Sequence, residues 1–286
     1  MLHLIEHTIL DTIKLLPFLF ITYLIMEYIE HKLGEKSKET IKKSGKWGPV
    51  IGSILGAFPQ CGFSVSATNL YAGRVITLGT LIAVYLSTSD EMLPILISEA
   101  VSPIIIFKIL VIKVIIGIIA GIIIDTVIRA TDKKMLEENN EIKHICEEEH
   151  CHCDEKGIFK SALKHTINIF LYILLITLIV NILVHFIGEE TIANLILNKP
   201  IIGPIISSLI GLIPNCASSV IITNLYLENV ISLGSMIAGL LTGAGVGLAV
   251  LFKTNNDIKE NIKIITLLYS IGVISGIVIE LIGITL

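Results

Sequence analysis

Charge is scarce in this chain. Only 16% of its 286 residues are Asp, Glu, Lys or Arg, against about 25% in an ordinary soluble domain, and so little charge excludes a water-covered fold of this length. No G-x-x-x-x-G-K-[ST] run occurs, which excludes a P-loop ATPase. H-E-x-x-H and G-x-S-x-G are also missing, and Cys61 and Cys216 have no histidine base close by in sequence, so enzymatic activity is not expected. The five cysteines form no disulfide framework. Two lie in apolar regions and three crowd one charged loop, as in a reduced compartment or a metal-handling segment. No basic n-region precedes the first apolar run, so no cleavable signal peptide is expected. The net charge of −4 sits in blocks, and no nucleic-acid partner is expected.

What is abundant is hydrocarbon: 53% of residues are hydrophobic and the mean hydropathy is +0.84. The runs Ile13–Ile29, Pro103–Ile128, Ile167–Ile187 and Ile262–Leu286 approach or exceed the roughly 20 residues that cross a bilayer. The fold class is therefore an all-α integral membrane protein, multi-pass in the cell membrane, with lipid as its immediate partner.

The chain repeats itself. Gly48–Ala83 aligns without gaps on Gly203–Ala238, with about half the positions identical. The shared residues include Pro59/Pro214, Cys61/Cys216, Ser64/Ser219, Thr68/Thr223, Asn69/Asn224 and Gly79/Gly234. Further on, Gly117 falls on Gly272, Gly121 on Gly276 and Asp125 on Glu280. Two homologous halves follow, with residues 1–130 as the first membrane repeat, 131–162 as a central loop and 163–286 as the second.

Lysine placement gives the relative orientation. His31–Trp47 carries six lysines and its counterpart Phe186–Ile202 only Lys199. Lys253–Lys263 carries three and its counterpart Ser98–Lys108 one. The loop Arg129–Lys164 is basic at both ends. These agree if the halves are inverted, with both termini outside and the central loop cytoplasmic. Each half then has about five helical segments, near 8–30, 48–68, 72–88, 89–102 and 103–128 in the first. Three spans and a re-entrant hairpin at 48–70 give the same parity.

Pro59 and Pro214 break helices at matched positions. Broken helices in two inverted halves point to a midplane binding site. The candidate ligands are Gln60, Cys61, Ser64, Thr68 and Asn69 from one half, and Asn215, Cys216, Ser218, Ser219, Thr223 and Asn224 from the other. Thiolate suits soft ions, and amide or carbonyl oxygen suits harder ones. The alternative is that these groups glue helices together, with cysteine as small packing.

Asp90 and Glu91 close the run LSTSDE, and their counterparts Gly245 and Val246 lie in LLTGAGVG. A carboxylate pair at membrane depth binds ions or exchanges protons; in the headgroups it would merely cap a loop. Ser87 and Thr242 can add hydroxyls. Lys108 is expected to snorkel, and the deeper Lys113 to pair with Asp90, Glu91 or Glu99. Asp125 and Glu280 read as interfacial.

In the central loop HICEEEHCHCDE, the imidazoles and thiols of His144, Cys146, His150, Cys151, His152 and Cys153 suit Zn²⁺ or a similar metal. The spacing fits no zinc finger, which points to a flexible sequestering or sensing segment rather than a rigid site.

With its FPQCG and IPNCA motifs, its two halves and its His-rich central loop, the chain resembles the ten-transmembrane heavy-metal exporter family. Members are labelled arsenic efflux proteins or manganese transporters, and the family is distantly similar to the organoarsenical permeases. The resemblance covers nearly the whole chain. It implies export of a metal or metalloid from the cytoplasm, with Gln60, Cys61, Asn215 and Cys216 at the site. The permeases carry a cysteine-rich motif after their proline, whereas each motif here has one cysteine.

The expected function is secondary-active export of a transition metal or metalloid: manganese, another divalent metal, or arsenic. Protons or the membrane potential would drive it, with Asp90 and Glu91 as coupling groups. The metal is cargo, so no cofactor is implied, and a homo-oligomer is compatible with the sequence. The competing expectation is a channel or permease for a small neutral or anionic solute, in which both cysteines merely pack.

Overall fold

The computed structural model of the protein describes residues 12–13, 16–17, 19–21, 23–24, 45, 47–59, 62–89, 91–131, 158–187 and 201–283. Among the described residues the chain is all-helical. Helical residues between 12 and 24 are followed by α1 (Gly48–Gly56), α2 (Gly62–Ala72), α3 (Leu78–Ser87), α4 (Met92–Ser98) and the long α5 (Pro103–Thr131). Then come α6 (Ile158–Ile187), α7 (Ile202–Gly211), α8 (Ala217–Leu227), α9 (Leu233–Thr242), α10 (Gly247–Thr254) and the long α11 (Ile258–Ile282).

Helix length separates two classes of element. At 1.5 Å per residue the ten-residue α3 and α9 are about 15 Å long, half of a hydrocarbon core about 30 Å thick. The 29 residues of α5 and 25 of α11 exceed that thickness. Among the described residues five apolar stretches have spanning length: Leu78–Ser98, Pro103–Ala130, Ala162–Ile179, Leu233–Thr254 and Ile258–Ile282. The expected separate segments at 72–88 and 89–102 thus become a single apolar stretch interrupted after Ser87. The hydroxyls of LSTS make the interruption. Ser87 and Thr88 donate back to the Ala83 and Val84 carbonyls at 2.8 Å, and Ser89 donates to the Ala57 carbonyl at the end of α1 at 2.5 Å. In the other half glycine does this, with Gly245 at φ 56°, a conformation that costs glycine little.

Burial ranks the elements. The Leu233–Thr254 stretch is 94% buried and Ile258–Ile282 only 28%, so the interrupted helices form the centre and the long ones the rim. Every residue of α3 and of α9 is buried, and the two pack on each other. The rim helices turn Ile104, Phe107, Ile119, Ile123, Ile274 and Leu281 outward, the apolar face that lipid requires.

Each central helix is clamped by two neighbours: α3 by α1 and α5, α9 by α7 and α11. Glycine permits the approach. A Cβ on Gly79 would strike the Gly121 carbonyl and the Asp125 carboxylate, and one on Gly234 would strike the Gly276 carbonyl and Glu280. Such small-residue contacts replace hydrophobic drive in lipid.

Asp125 and Glu280, read from sequence as interfacial, have a local task here. Thr77 caps α3 by accepting from the Thr80 amide at 3.1 Å and donates to Asp125 Oδ2 at 2.7 Å, while the Gly79 amide donates to Oδ1 at 2.9 Å. In the other half Ser232 caps α9 through the Ser235 amide at 3.2 Å and donates to Glu280 Oε1. Each acid thus sits at a helix N-terminus, where amide donors and the helix dipole favour negative charge.

Candidate functional site

The first motif folds onto the other half of the chain. Along α2, Ser64, Thr68 and Asn69 are buried, and α2 packs against α10. Thr68 Oγ1 donates to the Ser64 carbonyl (2.7 Å) and the Gly247 carbonyl (3.2 Å), and lies 2.6 Å from the Tyr85 hydroxyl. Tyr85 also reaches the Gly247 carbonyl at 3.3 Å. Gly247 opens α10 directly after the second interruption. A side chain there would press on Ser64, whose Cβ would be 3.0 Å away. Glycine at 247 therefore lets the two broken segments close on one another.

Asn69 is 1% exposed. Its Oδ1 accepts from the Tyr23 hydroxyl at 3.2 Å, and its Nδ2 has no hydrogen-bond partner among the described residues. Tyr23 in turn stacks on His165 of α6, with ring centroids 5.5 Å apart and planes at 20°. An unpartnered buried donor is costly and calls for a reason.

The second motif lies in the turn between α7 and α8. Pro214 is half-buried there, Asn215 is buried and Cys216 is half-buried. The side chains stitch the start of α8: Ser218 donates to the Asn215 carbonyl at 2.9 Å, Ser219 to the Cys216 carbonyl at 2.7 Å, and Thr223 to the Ser219 carbonyl at 2.7 Å. Asn224 is half-buried. Cys216 packs against an apolar cluster that holds Val65 of α2 with Val246, just before α10, and Val250 of α10. The second cysteine and the first motif's helix thus share one neighbourhood. The helix α8 itself packs on α4, as α2 does on α10, and residues 155 apart make the two contacts equivalent.

The interruptions meet at Lys113. This side chain is fully buried, and its Nζ donates to the Thr88 carbonyl and, at 3.0 Å, to the Leu240 carbonyl. Glu91, half-buried, holds the N-cap position of α4 without capping it by its side chain. The Ser87 and Thr242 hydroxyls donate to backbone carbonyls, Thr242 to Ser208 at 2.8 Å, which leaves only their lone pairs for a cargo.

Toward one end of the bundle Arg74 and Glu260 form an ion pair at 2.9 Å across the two halves. Tyr71 donates to the same carboxylate at 2.5 Å and Asn255 at 2.9 Å.

Pro59, in the turn after α1, is exposed. Gln60, Cys61 and Asp90 lie outside the described residues, as do His144, Cys146, His150, Cys151, His152 and Cys153 of the central loop. Among the described residues no three of His, Cys, Asp and Glu gather as a metal-holding group. Tyr23, Tyr85 and His165 were not singled out from sequence. Tyr85 faces Leu240 at its repeat position, so the repetition itself hid it. The one available signal was a hydroxyl or imidazole on an otherwise apolar helix.

The chain matches the family described as "Putative, 10TM heavy-metal exporter" over two regions, residues 7–199 and 176–285. It belongs to that heavy-metal exporter family. No curated protein and no solved structure matches it. As a member of this exporter family with five apolar stretches of spanning length among its described residues, the protein is a multi-pass membrane protein whose expected cargo is a metal. In that setting the polar centre built from α2, α3, α9 and α10 is the candidate path for the cargo.

Proposed function

We propose that the protein is a secondary-active exporter that carries a transition metal or metalloid out of the cytoplasm through a midplane site at its broken helices. The observation that carries this reading is the polar junction of Ser64 and Thr68 with the opening residue of α10, beside Asn69, whose buried Nδ2 has no partner among the described residues. As a donor, that Nδ2 would meet an oxygen of the cargo, such as an arsenite hydroxyl or a metal-bound water, rather than the metal itself. A membrane protein retains such a group at a site that something else completes. Gln60 and Cys61 precede this helix and Asn215 and Cys216 begin its counterpart, so thiolate and amide oxygen from both halves supply soft and hard ligands. Asp90 and Glu91 serve as ion-binding or coupling carboxylates. The halves are related by inversion, with both termini outside, and rock about the shared site. The His- and Cys-rich loop of residues 144–153 gathers metal on the cytoplasmic side as an auxiliary element.

The test is flux in proteoliposomes. Mn²⁺, Zn²⁺, Cd²⁺, Co²⁺ and arsenite are screened under an imposed proton gradient or potential, with wild type beside Cys61→Ser/Cys216→Ser. Flux that the double variant loses places the cargo on the thiols and favours a soft metal or arsenite. Flux that survives moves it to oxygen ligands and favours manganese. No flux of any of the five overturns the exporter reading in favour of a permease for a neutral or anionic solute.

A further inference from the structure

Lys113 is the buried charge that the cargo site leaves unexplained. It lies about 15 Å along α5 from Pro103 at 1.5 Å per residue, near the middle of a spanning helix. A lysine near a helix end reaches back to water, but this one is fully buried. Its ammonium meets the carbonyl of Thr88, at the C-terminal end of α3, and that of Leu240, in the last turn of α9. In a continued helix the Leu240 carbonyl would accept from the Ala244 amide, but that amide bonds Thr242 at 2.9 Å. Last-turn carbonyls lack helical donors and carry the negative end of the helix dipole. Two such ends, one from each half, therefore converge on one ammonium. Where broken helices coordinate a monovalent coupling ion, carbonyls and half-helix C-termini of this kind are the ligands. The repeat counterpart of Lys113 is Leu268, also fully buried, so the molecule holds this charge once.

We propose that Lys113 determines the ion specificity of transport: its ammonium is a tethered substitute for a monovalent coupling cation, seated where free Na⁺ or K⁺ would otherwise bind between the ends of α3 and α9. The proposal rests on the transporter reading above, and it implies that wild-type activity needs neither ion.

The experiment compares wild type with Lys113→Met, Lys113→Gln and Lys113→Arg, each purified and melted in NaCl, KCl or choline chloride at equal ionic strength. Wild type and Lys113→Arg are expected to melt alike in all three salts. Lys113→Met and Lys113→Gln are expected to melt several degrees higher in NaCl or KCl than in choline chloride, because a free ion then binds the folded state alone. If a neutral variant is recovered folded only when Na⁺ or K⁺ is present, the result is the same. Equal melting of the neutral variants in all salts overturns the proposal, as does failure to recover either one in any salt. Wild type that is itself stabilised by Na⁺ or K⁺ also overturns it. Melting needs no metal cargo, so absence of metal flux in wild type would remove the exporter reading without deciding this point.

Discussion

Arg74, in the turn between α2 and α3, and Glu260, in the first turn of α11, hold each other through two parallel hydrogen bonds of 2.9 and 3.0 Å. They come from opposite halves. Arg74 takes a left-handed backbone, φ 55°, to reach across, and its guanidinium also lies over the Tyr71 ring, 5.4 Å from the centroid. The repeat positions are Asn229 and Ile105, which cannot form an ion pair, so the pair fastens the halves at one end only. Glu260→Gln and Arg74→Gln should each lower stability by about 1.5–3 kcal/mol, the range for hydrogen bonds to charged groups, toward the lower end because both partners are partly exposed. Arg74→Glu/Glu260→Arg should recover part of that loss in a detergent melt. A swap no better than the sum of its single variants would show that the pair itself contributes nothing.

Close approach of α3 to α5 and of α9 to α11 makes a sharper demand than composition. Gly79→Ala and Gly234→Ala each drive a methyl group into backbone and a carboxylate, and should cost about 1–3 kcal/mol as overpacking does. Gly243→Ala is the control. It sits at φ −74° with its nearest neighbour 3.4 Å from the added Cβ, so it should be nearly silent. Fluorescence-detected size exclusion after heating would rank the three, and a Gly243 variant as damaged as the others would refute the close-packing account.

The all-helical, membrane-spanning class could be read from the sequence, because apolar runs long enough to cross a bilayer are a local property. Pro214 lies in the α7–α8 turn, and Gly245, in the interruption before α10, stands out in the sequence only as the repeat counterpart of Asp90. What could not be read is which faces meet. The first motif's helix packs on α10 rather than pairing through its own hydrogen bonds with α8, and no local rule selects that partner. Tyr23, 46 positions from Asn69, and Lys113, 127 positions from Leu240, become neighbours only through tertiary packing. Asp125 and Glu280 were legible as a matched pair of acids. That they fix helix N-termini required seeing Thr77 and Ser232 beside them.

Those caps give a paired prediction. Thr77→Val and Ser232→Ala remove the hydroxyl that accepts from the first turn and donates to the acid. Each should cost about 0.5–2 kcal/mol, the usual worth of an N-cap. Thr77→Ser, which keeps the oxygen, should cost far less. Amide hydrogen exchange would localise the effect, with faster exchange expected at the start of α3 or α9. Uniform loss of protection along the whole helix would mean that the caps are not the local anchor.

Asn69 separates a site from a packing accident. Its Nδ2 is buried without a partner among the described residues, and such a donor costs about 1–3 kcal/mol. Its Oδ1 accepts from Tyr23, so replacing Asn69 alone would take that acceptor from the tyrosine hydroxyl. Asn69→Leu/Tyr23→Phe removes both polar partners at similar volume, and replacing both members of a pair is nearly neutral or stabilising. The double variant should therefore melt no lower than wild type. If the orphan amide serves the cargo, the same variant should lose most metal flux in proteoliposomes. Asn224→Leu, at the half-buried repeat position, should lose less. A double variant that is stable and transports normally would show that the amide binds nothing in transit, and the cargo path would then have to be sought at the thiols alone.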